Sequence, residues 1–259
     1  CQRIYGRGKG AARKTVRRRE RTLDMKRIIP SAASANQLFL AEELGAFPKD
    51  TPLHIDIEDG NFVNNITFGM RTVRSIAALF PNPLCFHFMA KNPSQYFGEI
   101  AKCNAREVAV HFEELPYPSE ELCALRQLGL IPGLAINVKT PVEQVAPFFE
   151  YIDFLLLMTM DCGFGGTNGL GFCGASHDRI RTARNLLPAG KELWVDGAMD
   201  ETEMGNCFHL GADAVIAGRL IFPEKKAQEG SARRAYLPSE REHSPAELLA
   251  RYTDQYCLK

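Results

Sequence analysis

The sequence predicts an α/β fold of the (β/α)8 barrel type, and three features indicate it. From Arg27 onward, short apolar runs alternate with stretches of helical periodicity. This alternation is typical of βαβ units and a parallel sheet. Eight such runs occur in a chain of 259 residues, and a TIM barrel has eight strands in about 250 residues. A doubly wound open sheet is the alternative; no G-x-G-x-x-G motif follows the first run to support it.

The predicted strands lie between predicted helices in regular order. The strands are Arg27–Ser31, Pro52–Ile57, Leu84–Met89, Glu107–Phe112, Pro132–Asn137, Phe154–Met158, Glu192–Asp196 and Ala214–Ala217. The helices between them are Ala35–Leu44, Thr72–Leu79, Pro93–Lys102, Ser119–Leu128, Pro141–Glu150, Ser176–Leu187 and Glu201–Leu210. Because strands and helices alternate in this regular order, the pattern predicts eight consecutive βα units.

After Phe222 the alternation gives way to a charged segment, and we expect an inserted loop over about 223–243. The sequence Ser244-Pro245-Ala246-Glu247 then has the form of a capping box with proline at the first helical position. It predicts a C-terminal helix over 245–256. Residues 25–259 are therefore expected to form a single barrel domain.

The first 24 residues differ from the rest of the chain in charge. They contain nine Lys and Arg residues but two acidic ones, a net charge of +7. Because they hold few large apolar residues, we expect them to be disordered. A nucleic-acid-binding arm, a transit peptide and an extension upstream of a true start at Met25 are the open interpretations, and the last is favoured.

Composition excludes several classes of protein. Hydrophobic residues make up 45% of the chain, which is ordinary for a globular domain. No apolar run reaches the ~18 residues of a membrane span. The eight cysteines include no C-x-x-C pair, which argues against a zinc ribbon or a disulfide framework. Reduced thiols and a cytoplasmic location are expected.

One strand carries ionisable groups in strict alternation with apolar ones. Leu53, Ile55 and Ile57 share one face, and His54, Asp56 and Glu58 share the other. A solvated edge strand would explain this pattern. If the strand is buried, the polar face requires a partner, and a divalent metal ion is one that His and Asp commonly bind.

Further polar residues occupy the predicted strand ends. His87 lies near the end of the third strand and Asp196 ends the seventh. The C-terminal strand ends of a barrel surround its active site. Each residue alone is more often a satisfied polar group of the core, but His54, Asp56, His87 and Asp196 together suit Zn, Mn or Fe.

Glycine-rich loops follow the last three predicted strands. They contain Gly163–Gly166, Gly197 and Gly218-Arg219. Such loops often form a phosphate site from backbone N–H groups in barrels, although each also fits an ordinary turn.

From about Ile28 to Phe222 the chain resembles the ribulose-phosphate 3-epimerase family. The motifs that carry the resemblance are Pro30-Ser31, His54–Val63, Asn65–Gly69, His87–Met89, Met158-Thr159, Gly163–Gly166, Val195–Gly197 and Ala217-Gly218. The resemblance implies a phosphate-binding barrel of the pentose phosphate pathway. It also implies an isomerase, which would invert the configuration of the hydroxyl-bearing carbon next to the ketone of a pentulose phosphate.

The resemblance also implies roles for individual residues. His54, Asp56, His87 and Asp196 would hold one divalent ion (Zn, Mn, Fe or Co), and Asp56 and Asp196 would be the two acid/base residues. Ser31, Met89 and Met158 would contact the sugar. The phosphate would lie against Gly163, Gly165, Gly166, Gly197, Ala198, Gly218 and Arg219. A sugar-phosphate substrate and a homo-oligomer are expected, with neither a membrane nor a nucleic-acid partner.

Several residues depart from the family pattern. Glu58 replaces a methionine, Asn64 a proline, Ala198 a glycine and Arg219 a serine; Asp161-Cys162 and the segment 167–174 also differ. An altered loop 161–174 bears on closure over the substrate. Ribulose 5-phosphate is the expected substrate; another ketose phosphate, such as a hexulose 6-phosphate, and a non-catalytic sugar-phosphate-binding barrel are the alternatives.

Overall fold

Eight parallel strands form one sheet in the computed structural model, which describes residues 25–163, 171–223 and 241–258. The strands are β1 Arg27–Pro30, β2 Leu53–Glu58, β3 Leu84–Met89, β4 Ala105–His111, β5 Ile131–Ile136, β6 Phe154–Met158, β7 Glu192–Asp196 and β8 Ala214–Ala217. Each pairs with its neighbour in sequence from β2 to β8, and β1 pairs with β8. The predicted barrel is confirmed, because this order curls the sheet almost fully round on itself.

The seam between β1 and β2 differs from the other joints of the sheet. Seven ladders join the other neighbouring strands of the described residues. Across the seam runs one isolated parallel bridge, between Ser31 and His54. The barrel is therefore held together at this point by few backbone hydrogen bonds.

Helices and 3₁₀ turns connect the strands. The α-helices are α1 Leu40–Gly45, α2 Met70–Leu79, α3 Phe97–Ile100, α4 Pro118–Gln127, α5 Ser176–Leu186, α6 Glu201–His209 and α7 Pro245–Tyr256. Four 3₁₀ segments are Ala32–Ser34, Pro93–Tyr96, Phe112–Glu114 and Val142–Phe148. No described helix has both the length and the apolar content that a bilayer span requires.

Three predicted helices differ from the structure by more than two residues at one end or in helix type, and local chemistry explains two of these differences. The predicted helix 35–44 begins only at Leu40 because the Asn36 side chain accepts a hydrogen bond from the Leu38 N–H, a turn that competes with helix formation. The predicted helix 141–150 is a 3₁₀ segment that contains Pro147, which cannot donate a backbone hydrogen bond. The predicted helix 93–102 is divided into a 3₁₀ turn and α3.

The C-terminal helix α7 begins as predicted. The Ser244 hydroxyl accepts a hydrogen bond from the Glu247 N–H at 3.2 Å, and the Ser244 N–H donates to Glu247 Oε2 at 2.8 Å. This reciprocal capping box satisfies two backbone donors at the start of the helix. The predicted extension 1–24 and most of the predicted insertion 223–243 lie outside the described residues, so the domain boundaries stay predictions.

Alternating side chains give the barrel wall an inner and an outer face. Leu53, Ile55 and Ile57 of β2 pack outward in the large core between sheet and helices. A second core fills the barrel itself, with aromatic residues at its centre: Phe154 and Trp194 stack with ring centroids 4.2 Å apart. The polar face of β2 therefore points into the barrel, which excludes the solvated edge strand.

Candidate active site

The four predicted metal ligands converge at the C-terminal ends of the strands. One nitrogen or oxygen atom from each of His54, Asp56, His87 and Asp196 lies within 4.8 Å of the others. Register explains part of this proximity, because Asp56 on β2 lies directly beside His87 on β3. Asp196 reaches the same point from β7. Residues 142 positions apart in sequence therefore share one site, as the barrel prediction requires.

Within this cluster the imidazoles and carboxylates contact each other directly. His87 Nδ1 lies 3.3 Å from Asp56 Oδ1 and 3.3 Å from Asp196 Oδ2. His54 Nδ1 lies 3.2 Å from Asp56 Oδ2. Two imidazole nitrogens and two carboxylates are a donor set suited to Zn, Mn, Fe or Co. The residues present thus fit the divalent ion that the sequence predicts.

Electrostatics in this cluster favour the charged forms of Asp56 and His87. Burial opposes ionisation of Asp56, but the charge and hydrogen bonds of His54 and His87 outweigh it and hold the pKa of Asp56 well below its usual range. Burial also disfavours a charged His87, yet hydrogen bonds and charges of Asp196 and Asp56 raise its pKa to about 9. A positive charge at His87 Nδ1 therefore offsets part of the negative charge of the two carboxylates, and a cation could take its place.

The cavity above these ligands is lined by most of the other predicted site residues. Ser31, Met89, Met158, Gly163, Gly197, Ala198, Gly218 and Arg219 all lie on its wall, together with Asp56, Glu58 and Asp196. His54 and His87 lie beneath it and are fully buried. Gly165 and Gly166 lie outside the described residues. Met89 and Met158 pack with Val63 and Cys162 as an apolar patch at the mouth.

Close packing explains why glycine occupies two turns in the wall of the cavity. Gly197 has a φ of +116°, and a Cβ there would lie 2.7 Å from Met160 Cγ. A Cβ on Gly218 would lie 2.3 Å from the Ser34 hydroxyl oxygen. Ala198, next to Gly197, also has a positive φ of +48°, which is unfavourable for a residue with a side chain. The turn after β7 therefore holds a strained backbone at the edge of the cavity.

Glu58 is the most unusual member of the cavity wall. Burial and the nearby charge of Asp56 raise its pKa to about 7. Its Oε2 is buried and has no hydrogen-bond partner among the described residues. The Asn65 side chain forms a hydrogen bond with the same carboxyl group. One oxygen of Glu58 is thus left available to a hydroxyl or amine group of a ligand.

Two residues beside the cluster, the buried His111 and the half-buried Glu113, were not predicted from the sequence. The His111 ring meets the His87 ring edge to edge with centroids 5.0 Å apart, and Glu113 Oε2 lies 3.0 Å from His111 Nδ1. Burial lowers the pKa of His111. Burial opposes ionisation of Glu113, but His111, Thr140 and the Asn137 N–H lower its pKa to about 2. The signal in the sequence was the inward position of His111 at the end of β4.

Comparison with known proteins agrees with this geometry. A sequence model described as the ribulose-phosphate 3 epimerase family matches residues 27–222. A ribulose-phosphate 3-epimerase of Synechocystis sp. is 32% identical over 206 residues, covering 75% of this chain and 86% of the relative. That of Bacillus subtilis is 29% identical over 204 residues, covering 76% and 93%.

Solved structures resemble the chain in fold at low sequence identity. A tryptophan synthase α-subunit variant from Pyrococcus furiosus has a TM-score of 0.61 at 13% identity, covering 90% of this chain and 98% of its own. Orotidine 5'-phosphate decarboxylase from Pyrococcus horikoshii has a TM-score of 0.56 at 13% identity, covering 88% and 98%. Similarity at this level supports the barrel architecture alone.

Proposed function

Because the chain belongs to the ribulose-phosphate 3-epimerase family of isomerases, we propose that it converts D-ribulose 5-phosphate to D-xylulose 5-phosphate with one divalent ion bound. The observation that carries this proposal is the convergence of two aspartates and two histidines beneath one cavity. A cytoplasmic location and a homo-oligomeric state remain predictions.

Two carboxylates are sufficient for the proton transfers of an epimerisation. One must remove the proton from the carbon next to the ketone, and the other must return a proton to the opposite face. Asp56 on β2 and Asp196 on β7 belong to strands separated by β1 and β8, so they enter the cavity from different sides. We assign these two residues the acid/base roles. The low pKa of Asp56 keeps it ionised at neutral pH, as a base requires.

The proposed intermediate is an ene-diolate, which carries negative charge on neighbouring oxygens. A divalent ion held by His54, Asp56, His87 and Asp196 would stabilise that charge and polarise the ketone. Ser31 orients Asp56 by a hydrogen bond of 2.7 Å from its hydroxyl to Oδ2. Met89 and Met158 provide an apolar surface that would exclude water from the planar intermediate.

The phosphate group is proposed to bind at the loops after β6, β7 and β8. Backbone N–H groups in turns with positive φ form concave anion sites, and Gly197-Ala198 is such a turn. Gly163, Gly165, Gly166 and Gly218 would allow the phosphate to approach the backbone closely. Arg219 on the same wall would add a charge-assisted contact.

A second substrate is favoured by Glu58. Glu58 lines the same cavity as Asp56 and Asp196, and its buried Oε2 has no hydrogen-bond partner among the described residues. A hydroxyl group of a longer sugar could donate to it, which supports another ketose phosphate, such as a hexulose 6-phosphate, as the alternative substrate. The sugar therefore has to be identified by comparing several ketose phosphates directly.

The experiment is an exchange assay in deuterated water on a panel of ketose phosphates. We expect deuterium at the carbon next to the ketone and the appearance of the epimer, with ribulose 5-phosphate the best substrate. Binding without exchange on any sugar would support a non-catalytic barrel and refute the proposal. Metal analysis should find about one divalent ion per chain, and full activity in protein stripped of metal would refute the metal requirement.

A further inference from the structure

A chain of hydrogen bonds extends from the buried His87, away from the two aspartates, to the half-buried Glu113. His87 Nε2 lies 3.0 Å from His111 Nε2, and His111 Nδ1 lies 3.0 Å from Glu113 Oε2. The metal site of the proposed function accounts for none of these contacts. We propose that His111 and Glu113 are positioning residues that fix the orientation and tautomer of His87 and so prepare the site for a divalent cation.

The neighbours of the two ring nitrogens of His87 determine which nitrogen carries a hydrogen. Nδ1 lies against Asp56 and Asp196 at 3.3 Å from each, so it is the nitrogen that would hold a cation and must then be unprotonated. Nε2 must in that case carry a hydrogen. A histidine nitrogen either donates or accepts, so His111 Nε2 has to accept the bond from His87.

The tautomer of His111 follows from this assignment. If Nε2 accepts, neutral His111 carries its hydrogen on Nδ1. That hydrogen points to Glu113 Oε2 at 3.0 Å. The direction of every bond is thus fixed from His87 through His111 to Glu113, and reversal at either step would place two donors or two acceptors face to face.

Glu113 is suited to the end of this chain because a carboxylate only accepts. Its Oε1 accepts hydrogen bonds from the Asn137 backbone N–H at 2.8 Å and from the Thr140 hydroxyl. Glutamine has almost the same shape, but its NH₂ would face either the Asn137 N–H or the His111 Nδ1–H. A charge-neutral replacement of equal size therefore breaks one of the contacts that the carboxylate satisfies.

Ring packing restrains the same histidine. The His111 ring meets the edge of the His87 ring at an interplanar angle of 26°, and the centroid of the Phe62 ring lies 4.7 Å from that of His111. The His87 and His111 side chains are both 0% exposed. Rotation of either ring would thus need the surrounding core to move, so the hydrogen-bond chain is held in one arrangement.

The first test is the affinity of metal-free protein for Zn²⁺ alone, measured by titration calorimetry. Glu113→Gln and His111→Phe should each weaken binding about 10- to 100-fold, as removal of an outer partner of a metal-bound histidine does elsewhere. The control is Glu203→Gln, which breaks a histidine–carboxylate pair of 2.7 Å with His177 and contributes no predicted ligand. It should bind as the parent does. Affinities of both site variants within twofold of the parent would overturn the proposal.

The second test needs no substitution. In metal-free parent protein, ¹⁵N NMR of the His111 ring should show a protonated Nδ1 and a bare Nε2; the opposite tautomer would overturn the proposal. Because both measurements use protein without substrate, they separate this inference from the proposed activity. A protein that shows no proton exchange on any sugar, yet passes both tests, would refute the epimerase function and leave the role of His111 and Glu113 intact.

Discussion

Ser31 donates its hydroxyl hydrogen to Asp56 Oδ2 at 2.7 Å, across the joint between β1 and β2. A hydrogen bond to a charged group contributes about 1.5–3 kcal/mol. We expect Ser31→Ala to lower kcat about 10- to 100-fold, because Asp56 loses the contact that orients it towards the cavity. Steady-state kinetics with metal content determined in parallel test this. Unchanged kcat at unchanged metal content would remove Ser31 from the proposed mechanism.

Asp196→Asn should stop exchange of the substrate's α-proton, since the amide cannot accept that proton. Loss of a general base typically costs about 10²–10⁴-fold in rate. The measurement is deuterium incorporation from heavy water, together with thermal unfolding to show an intact barrel. Asp178→Asn is the matched control, because Asp178 lies on the exposed surface of α5 and pairs with Arg181. Undiminished exchange in Asp196→Asn would contradict the two-base assignment.

Glu58→Met is expected to change the choice of sugar rather than to reduce activity uniformly. If a substrate hydroxyl donates to Glu58 Oε2, loss of that hydrogen bond should lower kcat/KM for the preferred sugar by about tenfold or more. Other sugars in the panel should be affected less. Glu58→Gln retains an acceptor oxygen, so its kcat/KM for the preferred sugar should lie between that of Glu58→Met and that of the parent. An equal effect on every ketose phosphate would contradict a role in specificity.

Stability of the metal-free protein should depend on Glu113 in a pH-dependent way. Its pKa falls from 4.5 to about 2 on folding, so the stabilisation is present above pH 4.5 and is lost as pH falls through 2. Glu113→Gln should therefore destabilise by on the order of 1–2 kcal/mol at pH 7, less than full linkage because the carboxylate is partly exposed. Urea unfolding from pH 7 to 3 should show that the difference in free energy of unfolding between the parent and Glu113→Gln becomes smaller. A difference that grows towards pH 3 would contradict the prediction.

The strands could be predicted from sequence more closely than the helices. Alternation along β2 is a local property, and the structure shows the predicted shared face for His54, Asp56 and Glu58. That this face points into the barrel is shown by the structure and was left open by the sequence. The helix predicted at 141–150 depended on periodicity alone, and Pro147 overrides that signal. Short-range hydrogen bonds of single side chains, as at Asn36, likewise decide helix bounds that periodicity cannot.

The four-residue cluster could be predicted because barrel topology brings strand ends together. Glu58 and His111 could not be assigned in this way. The pKa of Glu58 depends on its burial and on the charge of Asp56, and the proposed role of His111 depends on its contact with His87 of the neighbouring strand. Both are properties of packing between strands, and a single strand's sequence does not contain them.

The joint between β1 and β2 has a consequence for how the protein loses activity on heating. Its one bridge joins Ser31, which lines the cavity, to His54, which belongs to the four-residue cluster. The joint with the fewest backbone hydrogen bonds therefore lies at the proposed active site. Local opening there would separate Ser31 from Asp56 while the seven other joints stayed paired. Heating should then abolish activity at a lower temperature than that at which the barrel unfolds. A tightly bound cation would reduce the difference between these two temperatures.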